Sequence, residues 1–469
     1  EIYATIFTIA PSRRDTSTIW TGSDDGVVHV TRDGGRTWRN VTPPNVPPNT
    51  RISRIDASWH NAGTAYVAAE RHQMNDRAPY IWKTHNYGAT WTRITDGLAD
   101  GDFVRVVRED RERQGLLYAG TEHGVRVSFD DGAHWRSLSR NLPDVQVSDL
   151  VVEKRDLVIA THGRSFWILD DLSALRQLTP PMLANDASVP ARLLRPATVI
   201  GRVAPANVDF YLPSAADSVR IDILDAGGNA VLTLGSAPRD AGLHRVRWDL
   251  RYPGASSFPG IVLEGGDPRR GVWAPPGHYR ARLAVHTGAS VAVDTQPLVL
   301  ARDPRVATVT DGDLRGQFEL ARRIRDKESD ANGAVVNIRA LRAQLREREA
   351  AAARQSPSDA SRAVARDIAR LDSAISEVES SLYQVRNRSP KDKIAFPIRV
   401  NDRLTALRGQ VDDSYAPPTA AQQRIFLELA AEVDASLAKL AAVYAGDLTR
   451  VNESLRRASL PEVGMTFVR

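Results

Sequence analysis

Two rhythms divide the chain. Up to about residue 175, apolar residues come in short runs that alternate with polar ones and break at Gly, Asp and Asn. Trp20-Thr-Gly-Ser runs into Asp24-Asp25-Gly26, Tyr66-Val-Ala-Ala into Glu70-Arg71-His72, and Tyr118-Ala-Gly-Thr into Glu122-His123-Gly124. Period-two alternation punctuated by turn formers predicts strands and hairpins. From Asp311 onward the period becomes helical. Val364, Ile368, Leu371, Ile375, Val378, Leu382 and Val385 recur in a heptad stripe, predicting one helix over 361–386. Phe426, Leu429, Val433, Leu437, Leu440, Tyr444, Leu448, Val451 and Leu455 form a second stripe over 419–456, opened by the capping box Thr419-x-x-Gln422. Further helices are expected near 312–353 and 398–411. Each stripe is too apolar to face water alone, so the two should face one another.

The strand-rich part is repetitive, and the repeat sets its architecture. Thr31-x-Asp33-x-Gly35-x-Thr37-Trp38 returns as Thr84-x-Asn86-x-Gly88-x-Thr90-Trp91 and as Ser128-x-Asp130-x-Gly132-x-His134-Trp135, at spacings of 53 and 44 residues. An Asp or Asn here can accept from backbone N–H groups further along the turn. Gly tolerates the positive φ such turns require. The Trp that follows offers a large apolar body to a neighbouring sheet, so Trp38, Trp91 and Trp135 are expected to be buried. Four-strand units of this length are propeller blades, placed near 2–42, 50–98, 102–143 and 146–175. The fourth unit, Val158 to Trp167, keeps the strand and turn but lacks the box. Residues 1–178 therefore read as β-propeller blades of an incomplete propeller.

Pro180, Pro181, Pro190, Pro196 and Pro205 mark residues 179–205 as a linker. Short strands around a Gly227-Gly228-Asn229 hairpin make 206–305 a β-sandwich. Residues 311–469 are an α-helical bundle or antiparallel helical hairpin. The fold class is thus multidomain: all-β blades, then a sandwich, then helices.

Composition narrows the function. Lys and Arg number 62 and Asp and Glu 57, interspersed along the chain, so no region has the basic excess that nucleic acid demands. No apolar run approaches the ~18 residues of a membrane span, so the chain is not integral to a membrane. Cysteine is absent, which excludes disulfides, thiol nucleophiles and thiolate metal sites. Neither a metal nor a cofactor is expected.

The three boxes resemble the Asp-box, or bacterial-neuraminidase repeat. Residues 1–180 resemble sortilin-type propellers and the large exported bacterial proteins often labelled glycosyl hydrolases, and Leu157 to Leu172 looks like the closing blade of that group. Gly242-x-His244, Trp248-Asp249 and Pro276-Gly277-x-Tyr279 resemble the immunoglobulin-like module of flagellar hook-capping proteins. The resemblance implies the C-terminal part of a longer, extracytoplasmic chain whose signal peptide lies outside this sequence. Asp-box sialidases use an arginine triad, a Tyr nucleophile and an acid, and xyloglucanase-type hydrolases use paired acids. No residues here match either set.

Two kinds of candidate residue remain. Asp33, Gly35, Trp38, Asn86, Gly88, Trp91, Asp130, Gly132 and Trp135 are explained by turn chemistry and are architectural. Asp24, Glu70, Glu122 and His162 align in one column of the repeat, with Asp25, Arg71, His123 and Gly163 in the next. These turns share the propeller face opposite the box turns. Asp24, Glu70, Arg71, Glu122, His123, His162 and Arg164 are therefore the ligand-binding candidates, against the plainer reading that polar turns are merely solvated. The expected function is binding and assembly, with a protein or carbohydrate ligand and helix-mediated self-association as possible partners. The alternative is a glycoside hydrolase acting on a polysaccharide, with acids partly in blades outside this sequence.

Overall fold

The computed structural model describes residues 4–186 and 188–464. Its first part is four successive antiparallel sheets, each a simple meander. The first blade holds β1 (Ile6–Pro11), β2 (Ile19–Ser23), β3 (Val28–Thr31) and β4 (Arg39–Asn40). The second holds β5 (Arg51–Ala57), β6 (Ala65–Arg71), β7 (Asp76–Thr84) and β8 (Thr92–Arg93). The third holds β9 (Val104–Glu109), β10 (Leu117–Thr121), β11 (Gly124–Ser128) and β12 (Arg136–Ser137). The fourth has three strands, β13 (Val147–Val152), β14 (Leu157–Thr161) and β15 (Phe166–Leu169).

The cores lie between blades. Trp20, Val28 and Val30 meet Ile52 and Ile55 of the second blade. Tyr66, Ala68 and Ile81 meet Val104, Val107 and Trp135 of the third. Val106, Tyr118 and Val125 meet Val147 and Leu150 of the fourth. Each fully buried aliphatic side chain contributes about 1.5–3 kcal/mol, so blades are held chiefly by their neighbours.

The box turns close as their chemistry requires. Thr37 N donates to Asp33 Oδ1 at 2.9 Å, Thr90 N to Asn86 Oδ1 at 2.9 Å, and His134 N to Asp130 Oδ1 at 2.9 Å. Gly35, Gly88 and Gly132 have φ of +93°, +78° and +85°. The following Trp reaches back one blade: Trp91 Nε1 donates to Val41 O at 2.7 Å and Trp135 Nε1 to Ile94 O at 2.9 Å. Trp135 is buried and Trp91 half-buried, but Trp38 is exposed, against the sequence expectation. The cause is positional. Its face of the first blade has no neighbouring blade among the described residues.

The proline-rich stretch differs from the linker expected over 179–205. After α1 (Pro180–Leu183), β16 (Arg192–Leu193) pairs with Phe210 and Tyr211, and β17 (Val199–Ile200) pairs in parallel with Leu300 and Ala301. Proline blocks neither two-residue ladder because it lies outside both. The sandwich therefore begins before residue 206. Its sheets have the orders β16-β18-β21 and β17-β23-β22-β19-β20. The remaining strands are β18 (Ala206–Leu212), β19 (Ser218–Leu224), β20 (Ala230–Thr233), β21 (Gly242–Trp248), β22 (Gly277–Thr287) and β23 (Ser290–Ala301).

The helices are α2 (Asp311–Ala353), α3 (Asp359–Leu382), α4 (Val400–Asp413), α5 (Ala420–Val443) and α6 (Thr449–Arg457), with a π turn at Tyr444–Leu448. Both apolar stripes enter one core, Val364 to Leu382 alongside Phe426, Val433, Val451 and Leu455. Neither is left as a free seam. Val385 departs from the expected stripe: α3 ends at Leu382, where Tyr383 turns extended and stacks edge-on against Phe258. Phe258 belongs to an irregular excursion between β21 and β22, which delivers Phe258, Leu263 and Val272 into the helical core.

Candidate functional site

The strand register decides which residues are equivalent from blade to blade. Every blade carries a β-bulge at the same place in its first strand, between Ile6 and Thr8, Ile52 and Arg54, Val104 and Val106, and Val147 and Asp149. Counting from the bulge, Asp24, Glu70, Glu122 and His162 are equivalent. The backbone agrees: Asp24 N donates to Thr5 O, Glu122 N to Phe103 O, and His162 N to Gln146 O, while Glu70 pairs in register with Arg51. The bulged residues themselves are Phe7, Ser53, Arg105 and Ser148.

Glu70 is the centre of what this arrangement builds. It is buried, and its carboxylate meets Arg51 Nη1 at 3.2 Å, Arg105 Nη1 at 3.2 Å and His72 Nδ1 at 3.3 Å. His72 stacks on Phe103, and Arg105 lies over the same Phe103 ring. Arg51 lies over Phe7. A pocket of about 90 Å³ opens beside Glu70, lined by Asp24, Arg51, Arg71, His72 and Met74 among others. It offers cationic donors, one fixed carboxylate and an exposed thioether. Such a surface can grip a polar ligand through charge-assisted hydrogen bonds.

The other candidates are placed differently. Arg71 lines the pocket, but its guanidinium is already held by Asp76 at 2.6 Å and by Pro48 O at 3.1 Å. Asp24 Oδ1 accepts from Thr5 N at 2.9 Å. His123 pairs with Asp144 at 2.9 Å, and its backbone N donates to Asp102. His162 and Arg164 are exposed on the fourth blade. Glu122 Oε2 is enclosed without a hydrogen-bond partner among the described residues. The pocket therefore gathers Asp24, Glu70 and Arg71, and not Glu122, His123, His162 or Arg164.

Arg51, His72, Phe103 and Arg105 were not singled out from the sequence. A signal was present. The apolar pairs Ile6/Ile9, Ile52/Ile55, Val104/Val107 and Val147/Leu150 are three apart rather than two, the mark of an inserted bulge residue.

Among the described residues, four carboxyl groups are pushed upward by burial, and none of them lines this pocket. Glu109 sits between the second and third blades, Asp209 in the sandwich, and Glu328 and Asp402 in the helices. Each is met by donors: Ser58 and Trp59 on Glu109, Arg245 on Asp209, Arg408 and Thr405 on Glu328, and Gly265 N on Asp402. These are structural acids.

No helix among the described residues is long and apolar enough to cross a membrane. Residues 197–259 match the FlgD Ig-like domain family. Among curated proteins, none matches the chain. Solved structures similar to it include YCF48 bound to D1 peptide, at 14% identity over 63% of this chain and 82% of that one, TM-score 0.28. YCF48 from Cyanidioschyzon merolae is similar at 15% identity over 62% and 72%, TM-score 0.24. The GH74 enzyme of Niastella koreensis is similar at 14% identity over 62% and 46%, TM-score 0.30. The chain thus spans less than half of that enzyme. By architecture it is a multidomain protein of β-propeller blades, an immunoglobulin-like sandwich and a helical region.

Proposed function

We propose that this chain is an exported binding and assembly protein of the Asp-box, sortilin-like kind, whose channel mouth recognises a protein or glycan. One observation carries the reading. Glu70, the buried acid of the mouth, is flanked by two arginines, Arg51 and Arg105, so its carboxylate is already engaged within the protein. A glycosidase needs two carboxyl groups free to flank the scissile bond of the sugar. Arg51, Arg105 and His72 then present donors around Glu70, while the sandwich and helices act as a rigid stalk. Export rests on the resemblance of the repeat to exported proteins.

Glycan and peptide arrays probed with the purified chain test this. Binding that Arg51→Ala and Arg105→Ala abolish, with the melting curve retained, is the expected result. The hydrolase alternative has its own observation in Glu122, whose Oε2, like that of Glu70, is enclosed without a hydrogen-bond partner but which has no arginine ion pair among the described residues. Turnover of a polysaccharide that Glu122→Gln removes without unfolding the chain would replace the binding reading with that one.

A further inference from the structure

We propose that a cleft at the box-turn end of the first three blades is a second binding site, for an organic carboxylate with an aliphatic body. It lies apart from the pocket beside Glu70 and does not rest on what that pocket binds.

The register places it. Glu70 pairs with Arg51 at the start of β5, whereas Ala57 at the far end of β5 pairs with Ala65, and Ala65 with Thr84, where the second box turn begins. The cleft is at this far end. It has a volume of about 360 Å³, with Pro11 and Ala57 in its walls beside Arg13, Arg54 and Arg108.

The three arginines belong to one alternating chain of charges. Arg13 Nη2 meets Asp56 Oδ1 at 3.4 Å, and Arg108 Nη1 meets the same oxygen at 3.3 Å. Arg108 Nη2 then meets Asp149 Oδ1 at 3.0 Å, and Arg54 Nη2 meets Asp149 Oδ2 at 2.7 Å. Three guanidinium groups thus share two carboxylates, which leaves one positive charge over. The nearby charges do not supply the balance. The Glu109 carboxyl is taken up by Ser58 and Trp59 N, and Arg111 is paired with Glu153.

Donors are in excess as well. Both acids are saturated, since Asp56 Oδ2 also accepts from Glu109 N and Asp149 Oδ1 from Leu150 N. Arg54 is not. Among the described residues its side chain donates one hydrogen bond, to Asp149, and its enclosed Nε has no partner. Burial pushes its guanidinium below the ordinary arginine value, as expected of a charge with too little compensation. Arg13 is fixed in place by the Trp59 ring, which it covers at 4.1 Å, and by Ala57 O. A carboxylate in the cleft supplies the missing charge and accepts from the guanidinium forks. A monoanion brings the chain to neutrality, whereas a dianion overshoots. Ile9 and Pro11 add exposed apolar surface to the same cleft, which suits an aliphatic body behind the headgroup.

Hexanoate is the probe, with hexanol and inorganic phosphate as its controls. Titration calorimetry of the 469-residue chain should show one saturable site for hexanoate, none for hexanol, and weaker binding of phosphate. Arg54→Gln should weaken hexanoate about tenfold or more, the worth of a hydrogen bond to a charged group. Phenylglyoxal labelling, read by peptide mass, tests the parent chain without any substitution. Saturating hexanoate should slow modification of Arg13 and Arg54 but not of the exposed Arg366 on α3. Undiminished labelling of Arg54 overturns the proposal, even where Arg54→Gln fails to fold. Protection of Arg51 instead overturns it by placing the ligand beside Glu70. Hexanol binding as tightly as hexanoate would leave only an apolar cleft, and phosphate binding more tightly would assign a tetrahedral anion; either result also overturns it.

Discussion

At the residue scale, a side chain in a repeat turn does one of two jobs, closing the turn or joining blades. Hydrogen bonds from Thr37 and Thr31 hold the Asp33 carboxyl well below the usual carboxylate range. Its stabilisation is present above that range and is lost as pH falls through the lowered pKa. The third turn has His134 where the others have Thr, and its hydrogen bond to Asp130 raises the imidazole pKa. That stabilisation is complete below the ordinary imidazole value and is lost as pH rises through the raised one. His134→Thr should therefore flatten the dependence of melting temperature on pH between slightly acidic and slightly alkaline buffers. An unchanged slope would show that the pair contributes nothing to folding. The three Trp separate the second job. Trp135→Ala should cost about 3–5 kcal/mol, as large aromatic truncations in cores do, Trp91→Ala less, and Trp38→Ala close to nothing in this chain. Chemical denaturation of the three variants ranks them.

At the scale of elements, the blades were legible because turn chemistry and alternation are local. The pocket beside Glu70 was legible in part. Aligning turns placed Glu70 beside Asp24 in the repeat, but Arg51 and Arg105 reach Glu70 only because a bulge re-aims one first strand and the next blade packs alongside. That is a tertiary effect, and only the three-residue spacing of Ile52 and Ile55 hinted at it. Trp38 is exposed for the same reason: burial depends on a neighbouring blade, not on the turn. Val385 fell out of its stripe because the demand of Tyr383 for a place beside Phe258 ends the helix, and Phe258 is 125 positions earlier. Close blade packing makes a sharp test. A Cβ on Gly120 would stand 2.6 Å from Val147 Cγ1 and 2.7 Å from Val106 Cγ1. Gly120→Ala should destabilise by about 1–3 kcal/mol through overpacking, and Val147→Ala in the same chain should recover part of it. In the helices, Leu371→Asp places a charge in a core shared by α3, α5 and α6. Loss of the helical transition in circular dichroism is expected; a folded variant with changed oligomeric mass would instead place Leu371 at a seam between copies.

At the scale of the molecule, buried ion pairs join the sandwich to the helices where the sequence showed two separate domains. Asp412, near the end of α4, accepts from Arg251 Nη1 at 2.6 Å and from Trp273 N at 3.1 Å, both on the excursion between β21 and β22. The Arg251 and Asp412 side chains are 9% and 5% exposed, so neither can turn to water if the other is lost. Nearby, Arg408 ties Glu328 of α2 to the carbonyls of Asp267 and Arg270 on the same excursion. Removing one partner of a buried pair costs about 3–5 kcal/mol, because the survivor stays buried and uncompensated. Asp413, one residue on, meets Arg270 in the open, where such pairs are worth about 0–1 kcal/mol. Calorimetry of Asp412→Ala and Asp413→Ala thus compares neighbouring carboxylates with opposite expectations. Asp413→Ala should melt like the parent. Asp412→Ala should melt earlier, with the sandwich and helices separating into two transitions, since it cuts the contact through which one unit feels the other. If both variants melt alike, the two units are joined by the apolar docking of Phe258, Leu263 and Val272 alone, and packing rather than charge couples them.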